Sequence, residues 1–100
     1  MTIIIRENVT VTDSETEIIE PMETDKEEDR IFTVSNGDNK IEVKAWGTND
    51  GENWIEKDSK MIEANDNGSL TAGPNVFITK LTGKTLEPGR TSIVDASLTW

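Results

Sequence analysis

Hydrolytic and transfer chemistry needs an activated nucleophile, and this sequence has little with which to activate one. Its six serines (Ser14, Ser35, Ser59, Ser69, Ser92 and Ser97) have no histidine to draw a proton from them, because the chain contains none. No Gly-x-Ser-x-Gly elbow is present. Cys and Tyr are absent too, leaving carboxylates, Lys, Ser and Thr. Carboxylates are plentiful, so a count alone does not exclude a glycosidase-type pair. Holding such a pair in a deep, dry cleft is a heavy demand on 100 residues of which only 33% are apolar. The expectation is a non-enzyme with no catalytic residue and no cofactor.

Two turns are rich in oxygen: Asn49-Asp50-Gly51-Glu52-Asn53 and Asn65-Asp66-Asn67-Gly68-Ser69. Asp50, Asp66 and Asn67 are the residues there that could offer ligands to a hard cation such as Ca²⁺. Neither stretch fits the EF-hand loop of about twelve residues with its closing Glu. Both read first as turn chemistry: Asp50 bonds back to the backbone and Gly51 supplies the turn geometry.

The tryptophans are the other chemical groups of note. If Ile41, Val43 and Ala45 face a core, Trp46 shares the opposite face with Glu42 and Lys44. An aromatic on a polar face is a contact for a partner or a sugar. A bulge at Ala45-Trp46 would instead turn the ring inward. Trp54 follows a turn and is expected to plug one end of the core. Trp100 continues the face of Val94, Ala96 and Leu98, as core or as subunit interface.

The elements that must position these groups are strands. No apolar spacing of 3.6 residues occurs. Ile3, Ile5, Val9 and Val11 share one face of an alternating run. Thr16–Glu20 is a short strand ended by Pro21. It lies inside an acidic stretch, Asp13 to Arg30, with nine acids against Lys26 and Arg30. Met22 to Arg30 reads as a solvated loop or one helical turn. Ile31–Ser35 and Lys40–Trp46 flank Asn36-Gly37, which predicts a tight antiparallel hairpin over 31–46 with Gly37 in the turn. Further strands follow at Trp54–Lys57, Lys60–Ala64, Val76–Thr82 and Thr91–Trp100. Seven or eight short strands with turn signals roughly every ten residues predict an all-β antiparallel sandwich, jelly-roll-like, filling residues 1–100 as one domain.

Charge narrows the partners. The net charge is -10 and the sequence pI is near 4.3. Phosphate backbones and anionic membranes are met by clustered Lys and Arg, so neither nucleic acid nor membrane is expected. The Ile3–Ile5 run is too short for a signal peptide or a span, which predicts cytoplasmic synthesis. Mean hydropathy is -0.55. A core this modest can be completed by burial between subunits.

The segment Lys44-Ala45-Trp46-Gly47-Thr48-Asn49-Asp50-Gly51-Glu52-Asn53-Trp54 resembles a strand followed by Gly-Ser-Asn-Asp-Gly-x-x-Trp, with Thr48 in place of Ser. That pattern is found in small β-sandwich proteins of phage and prophage structural gene sets, and more distantly in discoidin-like modules. The likeness continues through Thr71-Ala72-Gly73, Val76–Gly83 and Ile93–Thr99, and so covers about residues 31–100. It implies a virion component (head decoration, head fibre, neck or tail accessory) that assembles as a homo-oligomer or docks on virion proteins. Ile3, Ile5, Trp46 and Trp100 are then the interface candidates. The alternative it implies is a carbohydrate- or cell-surface-binding module. Some other soluble β domain of cellular function, including a Ca²⁺-stabilised one, is a third reading.

Overall fold

The computed structural model describes residues 2–24 and 29–100. Eight strands are formed: β1 (Ile3–Val11), β2 (Thr16–Glu23), β3 (Ile31–Ser35), β4 (Ile41–Thr48), β5 (Ile55–Ile62), β6 (Asn67–Thr71), β7 (Ile78–Thr85) and β8 (Ser92–Thr99). They make two four-stranded sheets, ordered β1-β8-β3-β6 and β2-β7-β4-β5. Every pairing is antiparallel. Each chain link except β4–β5 passes from one sheet to the other, which is the winding of a jelly roll. The expected all-β antiparallel sandwich is the architecture observed.

Alternation builds the core. Phe32 and Val34 of β3, Val94, Ala96 and Leu98 of β8, and Leu70 of β6 point inward from the first sheet. Ile41, Val43 and Ala45 of β4 meet them with Leu81 of β7 and Ile18 and Ile19 of β2. Among the described residues no buried side-chain nitrogen or oxygen lacks a partner, as a thin core demands.

The hairpin expected over 31–46 does not form: β3 and β4 lie in opposite sheets. The cause is local. Asn36 is buried. Its Nδ2 donates to the carbonyls of Asn39 (2.8 Å), Ile62 (3.2 Å) and Glu63 (3.1 Å), and its Oδ1 accepts from Ser92 Oγ at 2.8 Å. Gly37 is not in the left-handed region that a tight hairpin turn would use. It is needed for proximity instead, since a Cβ there would lie 2.6 Å from the Ile93 carbonyl oxygen.

The described part of the acidic stretch 13–30 is also more structured than a solvated loop. β2 runs through Pro21 to Glu23. It is an edge strand, and its register on β7 shifts between Ile19 and Met22, so the donor that proline lacks falls where the ladder is interrupted. A second shift, between Glu17 and Ile19, lets the adjacent Ile18 and Ile19 both be buried. Beyond β2, Thr24 and Arg30 are buried, and the Arg30 guanidinium donates to Thr24 Oγ1 and to the Gly73 carbonyl. Residues 25–28 of the expected loop lie outside the described residues.

β1 departs from simple alternation as well. Three steps along β1, from Arg6 to Val9, oppose two along β8, from Ala96 to Val94, with Asn8 at φ 56°. This bulge reverses the parity. Val9 and Val11 turn toward the core while Ile3 and Ile5 point to solvent. Across the open edge between β1 and β2, Arg6 Nε donates to both carboxylate oxygens of Glu20, at 3.0 and 3.1 Å. That contact holds Glu20 below the usual carboxylate pKa range.

The core assignment makes a direct prediction. Phe32→Ala removes a fully buried ring and is expected to cost about 3–5 kcal/mol of unfolding free energy in urea titration. A loss under about 1 kcal/mol would show that the two sheets do not pack around it.

Candidate interaction site

The outer face of the β2-β7-β4-β5 sheet collects the aromatic chemistry. Along β4 the outward residues are Glu42, Lys44 and Trp46. A register shift does occur beside Ala45 and Trp46, but Ala45 opposes Asp58 and Trp46 opposes Glu56. The extra residue is in β5, so β4 keeps its alternation and the half-buried Trp46 stays on the polar face. Directly opposite Trp46 on β7 is Lys80. Trp46 Nε1 donates to Thr82 Oγ1 at 2.8 Å, and Thr82 Oγ1 donates to Glu15 Oε1 at 2.8 Å. This two-bond chain sets the plane of the indole.

Trp54 is not the core plug expected of it. It precedes β5, is half-buried, and lies outside the buried cluster. Its ring is covered by the Lys80 ammonium, 4.3 Å from the ring centroid. The same nitrogen is 5.8 Å from the Trp46 centroid, and Lys44 Nζ is 5.9 Å from it. Glu15, Glu17, Trp46, Trp54, Lys80 and Thr82 line an open groove of about 410 Å³. The arrangement offers the rings of Trp46 and Trp54, one face of the latter under Lys80, bordered by acceptors and donors.

The turn before Trp54 sets where that ring sits. Asp50 Oδ1 accepts from the backbone N–H of Asn53 (2.8 Å) and Glu52 (2.9 Å) and from Thr48 Oγ1 (2.9 Å), while Oδ2 accepts from Asn53 Nδ2 at 2.6 Å. Gly51 takes φ 79°, where a Cβ would be strained. These bonds, led by the Asn53 amide, hold the Asp50 carboxyl far below its usual range. The oxygens that made Asp50 a cation candidate are occupied by the turn. Asp66 Oδ1 caps the Asn67 amide at 2.8 Å. Asn67 is not in a turn but opens β6, and its Oδ1 accepts from Ser35 Oγ at 2.6 Å.

The outer face of the other sheet is different. In register across it run Ile3, Thr99, Ile31 and Thr71, then Ile5, Ser97, Thr33 and Ser69. Ile3, Ile5, Ile31 and Ile93 are 55, 57, 46 and 56% exposed. Among the outward residues of this sheet the charges are Glu7 and Asp95, and Asp95 Oδ1 accepts the amide of the bulge residue Asn8 at 2.8 Å. A shallow groove of about 220 Å³ lies between Ile5, Thr33, Asp95 and Ser97.

The interface candidates are therefore divided. Ile3 and Ile5 share this face, Trp46 is on the opposite one, and Trp100 packs partly against the core, its backbone paired with Thr2. Sequence reasoning missed Ile31 and Ile93 here, and Lys80, Thr82, Glu15 and Glu17 around the indoles. The alternation of Ile78-Thr79-Lys80-Leu81-Thr82 places Lys80 and Thr82 on one face. Nothing local tells which strand lies beside them.

No family model matches the chain, and no curated protein does. A solved structure shares the architecture. "Crystal structure of PirA" superposes at a TM-score of 0.63 with 11% identity, covering 96% of this chain and 89% of that one. A protein described as "Bacillus endospore appendages form a novel family of disulfide-linked pili" gives a TM-score of 0.48 at 11% identity, covering 97% and 87%. The PirA likeness is one of fold.

Two measurements test the placement of these groups. Trp54→Ala is expected to lower stability by only about 1–2 kcal/mol, well short of Phe32→Ala, because it removes a half-exposed ring and one cation–π contact. A loss as large as that of Phe32→Ala would put the ring in the core. Asp50, with its pKa depressed on folding, contributes stability that is whole above the unfolded aspartate value of about 3.9 and is lost as pH falls through the lower folded value. The melting-temperature gap between wild type and Asp50→Ala should therefore be constant near neutrality and narrow in strong acid. A gap that narrowed between about pH 7 and pH 5 would contradict the hydrogen-bonded turn.

Proposed function

We propose that this chain is a non-catalytic structural subunit that associates with further copies of itself through the outer face of the β1-β8-β3-β6 sheet. The observation that carries this reading is four exposed isoleucines on a face whose outward charges are Glu7 and Asp95, in the row between Ile5 and Ile93, in a chain of net charge -10. Two such chains repel. The repulsion is screened beyond about 8 Å at physiological salt but acts in full at contact. A surface poor in charge is where two copies approach at least cost, and apolar burial supplies the attraction. A face meeting its own copy gives a closed, isologous contact.

The size is adequate as well. The molecule extends 37 × 26 × 17 Å, so its broad face can supply the about 800 Å² per partner of a standard interface. Within this class, the resemblance of Lys44–Trp54 to phage and prophage β-sandwich proteins supports a place in a virion, as decoration, fibre, neck or tail accessory.

Light scattering on a sizing column tests the association. The wild type is expected as a discrete oligomer that strengthens with added salt, since salt screens repulsion and leaves apolar contact in place. Ile5→Asp and Ile93→Asp should each give particles of 11.1 kDa with the melting temperature of the monomer unchanged. A wild-type monomer at every concentration and salt overturns the reading, as does an oligomer indifferent to both substitutions.

A further inference from the structure

We infer that the groove between Trp46 and Trp54 is a binding site for a neutral oligosaccharide. It lies on the sheet opposite the isoleucine face, so this goes beyond the self-association proposed above and is independent of it.

The first argument is chemical fit. Pyranose rings present C–H faces that stack on indoles, and a rim of hydroxyls that need donors and acceptors. The groove supplies both: the rings of Trp46 and Trp54, the latter with Lys80 over one face, and the carboxylates of Glu15 and Glu17 with the ammonium of Lys80, around about 410 Å³. That volume falls in the range of small-molecule sites. An open groove on a sheet face also admits a chain of sugars, whose ends can run past it.

The second argument is charge. Within a chain of net charge -10, this groove sets Lys80 against Glu15 and Glu17, while Lys44 beside Trp46 is paired to Glu56 at 3.4 Å. A cationic ligand would seek the same rings, but there it meets the like charge of the Lys80 ammonium, 4.3 Å from the Trp54 centroid and 5.8 Å from that of Trp46. An anionic ligand would meet the two carboxylates and the field of the whole chain. A neutral polyol pays neither penalty and uses Lys80 as a donor.

The third argument is preorganisation. Trp46 is held by its bond to Thr82, and Thr82 by its bond to Glu15. Trp54 follows directly on the Asp50 turn, whose carboxylate is tied to two amides. Groups already fixed lose little freedom when a ligand docks.

The test is a ¹H–¹⁵N titration of the folded protein that follows the three indole N–H resonances. Probes are the neutral hexasaccharides of glucose, xylose, mannose and N-acetylglucosamine, with tetramethylammonium and hexagalacturonate as charged contrasts. At least one neutral hexasaccharide is expected to shift Trp46 and Trp54 saturably while leaving Trp100, packed on the core, unmoved. Trp54→Ala should weaken that binding by about tenfold or more, and Glu17→Gln by a few-fold, both with folded spectra. Silence across the neutral panel overturns the site. So does a response to the charged probes alone, or one unchanged by both substitutions.

Discussion

The Asn36 side chain sits where the chain leaves one sheet for the other, and the winding of the sandwich turns on it. Its amide nitrogen gathers the carbonyls of Asn39, Ile62 and Glu63, and its oxygen accepts from Ser92. One buried residue thereby joins the exit of β3, the entry of β4, the end of β5 and the start of β8. Its own amide donates to Asp66 at 2.9 Å, and Asn65 donates to the Gly37 carbonyl at 2.7 Å, so the β5–β6 link belongs to the same knot. Leaving any of these groups buried and unpaired costs more than its hydrogen bond returns. A hairpin at Asn36-Gly37 would satisfy residues 31–46 alone and strand the rest.

Once β3 and β4 face each other across the core, the outward residues follow from parity, and two irregularities decide what parity means. The bulge at Asn8 shifts β1 by one residue, sending Ile3 and Ile5 outward while Val9 and Val11 stay in. The extra residue opposite Ala45 and Trp46 lies in β5 and leaves β4 untouched, so Trp46 remains beside Lys44. Had those two bulges exchanged strands, the isoleucines would have been core and the indole buried.

This explains which parts of the structure could be read from residue order. Strands with clean alternation, such as β4, β7 and β8, announce themselves, and their number dictates a sandwich. β6 does not: Asn67-Gly68 is turn vocabulary, used here in a strand where Gly68 lies so close to Ile62 that a Cβ would be 2.9 Å from it. The rule against proline in strands predicts an end to β2 at Pro21, but that rule relaxes at an edge, and edges are known only from the topology. The place of Trp54 directly after a turn predicts a core plug, yet Lys80, twenty-six positions away in sequence, gives its ring a cationic partner outside. Each failure concerns a neighbour remote in sequence.

The same topology separates the two surfaces by charge. The outward face of β2-β7-β4-β5 carries Lys44, Lys80 and Lys84 among its acids, with Lys44 paired to Glu56 at 3.4 Å. The outward positions of the β1-β8-β3-β6 sheet carry no Lys or Arg; the Arg6 guanidinium is turned to the sheet edge and Glu20. A face with balanced charges is well hydrated and costly to dry, whereas a face of isoleucine, threonine and serine is not. Dehydration on contact therefore favours burying the first sheet and keeping the second wet, open to a ligand that exchanges its own hydroxyls for that water. Assembly and ligand binding can then be carried by opposite sides of a single thin sandwich, without competing for the same residues.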